Sequence, residues 1–153
     1  MEDWRRIDID AYDPESGRLT VEDLKPPYSH LLTLQELQPA IQQLRAYAAS
    51  GDFVSAVQVF TSEPPYSADE QAKSQYFFGV LEVLTQVRQA DIANIIKQLD
   101  AKQQDVLVKY LYKGMSIPEG QKHGGILLAW FEKLTQASGV NPIVHYLSDR
   151  RTV

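Results

Sequence analysis

Residues 33–48 read Thr-Leu-Gln-Glu-Leu-Gln-Pro-Ala-Ile-Gln-Gln-Leu-Arg-Ala-Tyr-Ala, and this stretch decides the fold class. Its apolar positions recur at steps of three and four, the spacing of one buried helix face: Leu34, Leu37, Ile41, Leu44 and Ala48. Thr33 and Glu36 are spaced as a capping box. Pro39 is awkward inside a helix, so a helix that begins at Pro39 is the alternative.

The same period continues to the end of the sequence. Gly51 ends the first helix, Asp52 starts a second, and Pro64-Pro65 stops it. Ser67 and Glu70 are spaced as another capping box. Further stripes follow at 76–87, 92–99 after a turn near 89–91, 106–111 up to Gly114, 126–134 up to Gly139, and 143–147 behind Asn141 and Pro142. We therefore predict an all-α body over 34–153, an α-α superhelix of about seven helices built from helical hairpins.

Weak internal similarity supports stacked helix pairs. Pro26-Pro27-Tyr28-Ser29 recurs as Pro64-Pro65-Tyr66-Ser67, and Leu84-Thr85-Gln86 recurs as Leu134-Thr135-Gln136. A spacing of about 40 residues is typical of α-solenoids, and it would make Leu44, Leu84 and Leu134 equivalent. Coincidence among leucine-rich helices is the alternative, and the body is all-α in either case.

We expect residues 1–33 to form an extended acidic arm and linker, because they cannot build a core of their own. The arm carries most of the net charge of -5. In Ile7-Asp8-Ile9-Asp10 the apolar and acidic side chains fall on opposite sides of an extended backbone. That pattern suits a peptide in a partner's groove, with Trp4 and Tyr12 as anchors and Arg5 and Arg6 paired with acids. A disordered tail is the alternative.

Composition excludes several classes of function. With 153 residues, 44% of them hydrophobic, the chain has room for one domain beside the arm, and it contains no cysteine for disulfides or thiolate chemistry. It shows no signal peptide or membrane-spanning run, so we expect a soluble intracellular protein. Without a basic stripe, nucleic acid and anionic membranes are not expected partners.

No constellation of catalytic or metal-binding residues is present in the sequence. His30, His123 and His145 lack metal-ligand spacing, so we predict no metal and no cofactor. The acidic string from Asp8 to Glu15 lacks the glycine of a calcium loop. The glycine-rich stretch 120–125 follows no strand, so a flexible loop is expected there, and an enzyme is improbable.

Two aromatic positions have open assignments. Tyr110 and Tyr112 are two residues apart on one helix, so they cannot both face the core. The outward one is either an interface residue or an exposed tyrosine without a role. Trp130 lies in the densest apolar helix and is predicted to be core.

Taken together, the chain resembles subunit five of the actin-related protein 2/3 complex. The resemblance spans nearly the whole chain and rests on three stretches in order: Trp4 to Asp13, Val106 to Gly114, and Leu127 to Val153. The family's patterns are an aromatic-basic-basic-aliphatic-Asp-aliphatic-Asp-x-Tyr start, a Lys-Tyr-x-Tyr-Lys-Gly centre and an Arg-x-Thr-Val end. The linker from Ser16 to Pro39 departs from the family's acidic, glycine-rich one.

The resemblance implies a non-catalytic subunit of a hetero-oligomer at cortical actin patches in the cytoplasm. Its arm would hold the actin-related protein 2 subunit, and its body would dock on the β-propeller subunit one near subunit four. The complex would reach actin filaments and nucleate branches. The expected partner contacts are Trp4, Arg5, Arg6, Ile7, Asp8, Ile9, Asp10, Tyr12, Tyr110, Tyr112, Lys113, Arg150 and Arg151.

Two other classes of binding protein share the predicted hairpins and arm. One is a helical-repeat adaptor subunit of another intracellular assembly, and the other is a free-standing monomeric binding module. The proteins that co-purify with the chain distinguish them.

Overall fold

The structure, a computed structural model, describes residues 30–153. Over this range the chain is all-α, as predicted, and its eight helices are α1 Leu34–Ser50, α2 Phe53–Ser62, α3 Glu70–Gln86, α4 Gln89–Ile96, α5 Ala101–Ser116, α6 Pro118–Gln121, α7 Gly124–Ser138 and α8 Asn141–Ser148. The predicted arm contacts from Trp4 to Tyr12 lie outside the described residues.

The first helix begins where the capping pair predicts. The Glu36 carboxylate accepts hydrogen bonds from the Thr33 backbone N–H at 2.8 Å and from the Thr33 hydroxyl at 2.9 Å. The alternative start at Pro39 is wrong, because α1 runs through this proline. Leu37 before it and Ile41 after it are buried, and their packing offsets the backbone hydrogen bond that proline cannot make.

The helix boundaries at Gly51 and Asp52 are confirmed. Gly51 ends α1 with a φ of 78°, the left-handed conformation that favours glycine. The Asp52 carboxylate accepts the backbone N–H three residues later at 3.1 Å. The predicted Ser67–Glu70 box is wrong, because the Asp69 carboxylate caps α3 instead, accepting a backbone N–H at 2.6 Å.

Two other boundaries move by one or two residues. The N-cap of α8 is Val140, so Asn141 is the first helical residue and Pro142 the second. The turn expected at 89–91 is already the first turn of α4, which begins at Gln89.

The central helix of the body is α5, which packs against α2, α3, α6, α7 and α8. Trp130 is fully buried, as predicted, and its Nε1–H donates to the Leu84 carbonyl oxygen at 3.0 Å. This bond links α7 to α3. Leu44, Leu84 and Leu134 are all fully buried, although they lie at different distances from their helix ends, so their equivalence in a repeat stays a prediction.

Residues 120–125, which were expected to form a flexible loop, belong mostly to helices. Helix α5 continues past Gly114 to Ser116, α6 follows at once, and α7 already starts at Gly124. The backbone of Gly120 lies against that of Gly114 so closely that an added Cβ would come 2.0 Å from the Gly114 carbonyl oxygen. Two glycines thus permit a tight helix contact.

Candidate functional site

Two of the stretches that carry the resemblance lie against each other in the fold. Lys109 and Lys113 on α5 hold the last residues of the sequence, Asp149–Val153, here called the tail segment. Tyr66, before α3, and Lys73, on α3, complete the set of holding residues. We call Tyr66, Lys73, Lys109 and Lys113 the tail clasp.

Lys109 is the centre of the clasp. Its ammonium group donates to the Tyr66 hydroxyl at 3.0 Å, the Asp149 carboxylate at 2.8 Å and the Arg151 carbonyl oxygen at 3.0 Å. Only 5% of its surface is exposed. A lysine is rarely buried to this degree unless it is paired, and here three acceptors use its three N–H donors.

Asp149 is the anionic counterpart of that lysine. The Arg151 guanidinium donates to its carboxylate from Nε at 3.1 Å and from Nη2 at 2.8 Å. These bonds, together with those from Lys109, hold the pKa of Asp149 well below its ordinary value. Arg151 also lies 4.8 Å above the Tyr66 ring. The Lys109 ammonium, the Arg151 guanidinium and the Asp149 carboxylate therefore form one network that joins the tail segment to the body.

The other two lysines hold the end of the segment. Lys73 donates to the Thr152 hydroxyl at 3.0 Å, and the Lys113 ammonium donates to the Val153 carbonyl oxygen. Burial lowers the pKa of Lys113. The Val153 side chain is buried and belongs to the core. The segment is therefore fixed along its length by polar contacts and at its end by an apolar anchor.

The clasp predicts a pH dependence of stability. Because the folded pKa of Asp149 lies below the unfolded value of about 3.9, its stabilisation is complete above about pH 4 and is lost as the pH falls through the folded pKa. We expect Asp149→Asn to lower the free energy of unfolding by about 1 to 2 kcal/mol at pH 7.

Denaturant titrations of the full chain between pH 7 and pH 2 measure this. The difference between wild type and Asp149→Asn should shrink below about pH 4, because the Asp149 carboxylate of the unfolded chain then takes up a proton that the folded chain, with its lowered pKa, does not. Glu82→Gln is the control, because Glu82 pairs at 3.6 Å with Arg45 where both side chains are exposed, and such pairs contribute little. An Asp149→Asn effect that is constant over this range would contradict the prediction.

Tyr110 and Tyr112 differ in their surroundings, and Tyr110 is the one that faces the core. Tyr110 is 1% exposed and lies edge-on to Phe60, with ring centroids 5.3 Å apart. Burial raises the pKa of Tyr110, and its hydroxyl has no hydrogen-bond partner within residues 30–153. Tyr110, which was expected to contact a partner, is a core residue, because its side chain does not reach the surface of the body.

Tyr112 is only half-buried and points sideways, toward α8. Its ring stacks on Tyr146, with centroids 4.4 Å apart and planes 11° apart, and lies edge-on to Phe131 at 5.5 Å. Tyr112 and Tyr146 form one wall of a shallow groove beside the tail segment. The uncharged residues that line this tail groove are Tyr112, Ser116, Tyr146, Leu147, Thr152 and Val153, and the charged ones are Glu70, Lys109, Lys113, Asp149 and Arg151.

The predicted contacts at 150 and 151 are exposed at the surface. The clasp binds the residues on both sides of Arg150, through the Asp149 carboxylate and through the Arg151 carbonyl oxygen. Lys113, also predicted as a contact, is half-buried and is used within the chain. The structure therefore brings Tyr112, Lys113, Arg150 and Arg151 to one corner of the body.

The polar groups of this corner bind the chain's own tail segment. Lys109 forms an ion pair with Asp149, and the Lys73 ammonium lies 3.6 Å from the Glu70 carboxylate. The nearby His145 Nδ1 lies 2.9 Å from an Asp105 carboxylate oxygen. Across the part of the chain that the structure describes, no three His, Cys, Asp or Glu residues are placed to hold a metal ion. Within the same residues no helix has the length and apolar character needed to cross a membrane.

Sequence reasoning missed Tyr66, Lys73, Asp149 and Thr152. The one available signal was Lys109, a lysine inside an apolar run whose neighbours Val108 and Tyr110 are both buried. A charged residue at such a position needs a partner, but the sequence does not tell which of the distant acids provides it.

Comparison with known proteins agrees with the resemblance. A family model described as the ARP2/3 complex 16 kDa subunit (p16-Arc) matches residues 3–153. Actin-related protein 2/3 complex subunit 5 of Saccharomyces cerevisiae is 70% identical over 151 residues, which cover 99% of this chain and 98% of that protein. Subunit 5-C of Xenopus laevis is 30% identical, and the human subunit 5-like protein is 28% identical, each over 98% of this chain and 94% of its own length. The chain therefore belongs to the p16-Arc family, the 16 kDa subunits of the ARP2/3 complex.

Proposed function

We propose that this chain is a non-catalytic structural subunit of the actin-related protein 2/3 complex and supports nucleation of branched actin filaments. The family match over residues 3–153 carries this proposal. The described body adds to it, because its polar cluster binds its own tail segment. The chain would work in the cytoplasm, at cortical actin patches, without a cofactor.

In this proposal the arm holds the actin-related protein 2 subunit. Trp4, Ile7 and Ile9 supply apolar anchors, while Arg5 and Arg6 pair with acids of the partner. The remaining predicted contacts of the arm, Asp8, Asp10 and Tyr12, complete the same extended peptide. The support for this assignment is the alternation of apolar and acidic residues and the resemblance of the stretch to the family's start.

The body docks on the β-propeller subunit one near subunit four, and reaches actin filaments only through the complex. The exposed Arg150 and Arg151 beside the Tyr112–Tyr146 stack support such a docking role, since arginine and tyrosine are enriched at protein interfaces. A chain that binds two subunits through a flexible linker raises the effective concentration of one near the other. The subunit would thus act as a tether and brace.

Removal of the arm's anchors tests the tether. We expect Trp4→Ala/Ile7→Ala/Ile9→Ala to leave the body incorporated and to weaken retention of the actin-related protein 2 subunit by at least about tenfold, because three apolar anchors are lost together. The measurement is affinity purification of the tagged full chain from its own cells, with the stoichiometry of the recovered subunits.

A matched triple variant separates this effect from a general change in the arm. Leu19→Ala/Val21→Ala/Leu24→Ala removes a similar apolar area outside the alternating stretch, and we expect it to retain the subunit as wild type does. Equal retention in all three proteins would refute the tether. Recovery of neither actin-related subunit with wild type would refute the proposed function and favour an adaptor of another assembly.

A further inference from the structure

Helix α8 and its N-cap expose apolar side chains. Val140, Val144 and Leu147 lie at steps of four and three, so they share one helix face. Val144 is 55% exposed and Leu147 is 77% exposed. Single exposed apolar residues are ordinary, but a row of them on one short helix marks a surface that another molecule covers.

This face continues into the tail groove. Leu147 belongs to both, and beyond it the groove offers the stacked rings of Tyr112 and Tyr146 and the edge of the buried Val153. The rings are already fixed by stacking and by the contact of Tyr112 with Phe131. A binding partner would therefore meet a preorganised apolar surface and would lose little free energy in ordering it.

The charges around the groove specify the partner further. Asp149 is neutralised within the chain by Lys109 and Arg151, whereas Arg150 next to it is exposed. Lys113 also lines the groove, where burial lowers its pKa and the negative charge of Glu70 opposes that shift, so a further negative group would favour its charged form. Of the charged residues that line the groove, three are cationic (Lys109, Lys113 and Arg151) and two are acidic (Glu70 and Asp149). With the exposed Arg150 beside them, this corner is cationic on a chain whose net charge is -5. Electrostatic complementarity selects an acidic partner surface.

We propose that the α8 face and the tail groove form the docking surface of the body for a neighbouring subunit whose contact surface carries apolar side chains flanked by carboxylates. This rests on the proposed function, because the partner is taken to be a subunit of the complex. The clasp gives the surface its shape, since the bonds of Lys109 and Lys113 hold Arg150 and Val153 beside α8. Apolar contacts supply most of the affinity, and the carboxylates orient the partner.

Two variants test the two components separately in the full chain. Val144→Ser/Leu147→Ser removes the exposed apolar row, and we expect retention of the other subunits to fall at least about tenfold at every salt concentration. Arg150→Glu reverses the exposed charge, and we expect a loss of about threefold to tenfold near 50 mM salt that becomes small near 500 mM, because salt screens exposed charges.

Controls on other faces of the body show whether the effect is local. Leu128 on α7 is 58% exposed, so Leu128→Ser removes comparable apolar surface, and Lys102→Glu reverses an exposed charge on α5. Both are expected to retain the subunits as wild type does. Unchanged thermal unfolding of all four variants, measured on the purified full chains, excludes unfolding as the cause.

Each outcome of the purification has one meaning. If wild type recovers the complex and Val144→Ser/Leu147→Ser recovers it equally well, the docking surface is refuted while the proposed function stands. If wild type recovers no subunit of the complex, the proposed function fails, and the docking surface fails with it. If light scattering shows that purified wild type is a dimer that Val144→Ser/Leu147→Ser dissociates, the face binds a second copy and the proposed partner is refuted.

Discussion

Gly120→Ala is expected to lower the free energy of unfolding by about 3 kcal/mol, because a methyl group has no room between α5 and α6. The new Cβ would lie 2.0 Å from the carbonyl oxygen of Gly114 and 2.7 Å from its carbonyl carbon. Both are backbone atoms, so no side-chain rotation can relieve the clash. The two helices would have to separate, which also disturbs the packing of α7 on α5.

A graded series of alanine substitutions isolates this steric cause. Gly114→Ala should cost less, since the nearest atom to its Cβ is the flexible end of Leu127 at 2.9 Å. Gly125→Ala meets nothing within 4 Å and lies in α7, so it should be neutral or stabilise by about 0.5 to 1 kcal/mol through helix propensity. Denaturant unfolding of the full chain measures all three, and a Gly120→Ala protein as stable as Gly125→Ala would contradict the packing argument.

The sequence predicts the helices well because their signals are local. The stripe from Leu34 to Ala48, the stop at Gly51 and the new start at Asp52 each depend on residues within about two helical turns, and the structure confirms them. The errors in the predicted helix boundaries also concern residues that are close together in the sequence. Ser67 and Asp69 are both good caps, and the choice between them depends on where the chain turns after Pro65.

Contacts between distant residues could not be predicted in this way. Gly120 looks like part of a flexible loop, because glycine favours loops and the nearby backbone of Gly114 is visible only in the fold. Tyr110 and Tyr112 have the same sequence context, and only the packing of α5 against α2 and α8 separates a core tyrosine from a surface one.

The candidate site was predicted only in part: Tyr112, Lys113, Arg150 and Arg151 were expected contacts, whereas the partners that hold the tail segment were missed. The Lys-Tyr-x-Tyr-Lys-Gly centre and the Arg-x-Thr-Val end carry the resemblance as separate stretches, whereas the structure shows Lys109 bound to the backbone of Arg151. The two stretches occur in one chain for a physical reason, because each provides hydrogen-bond partners for the polar groups of the other. A local sequence pattern cannot predict a contact between residues that are about 40 positions apart in the sequence.

Lys109→Met is expected to lower the free energy of unfolding by about 3 kcal/mol and to release the tail segment, because it removes the charge that three acceptors share. Methionine keeps the apolar stem, so the loss reports the ammonium group and not a cavity. With Lys109 gone, Asp149 retains Arg151 as its partner, but the Arg151 carbonyl and the Tyr66 hydroxyl lose their contact with α5. The segment is then held mainly by Lys73, Lys113 and the buried Val153.

Two measurements on the full chain distinguish this loss from a general effect of removing a lysine. Lys102→Met, at an exposed position on the same helix, should change the free energy of unfolding by no more than about 0.5 kcal/mol. Limited trypsin digestion should cleave after Arg150 and Arg151 at least about tenfold faster in Lys109→Met than in Lys102→Met, because a protease needs the segment detached from the body. If Lys109→Met unfolds and is cleaved like Lys102→Met, Lys109 does not fix the tail segment. The exposed arginines would then be positioned by Lys73, Lys113 and the buried Val153.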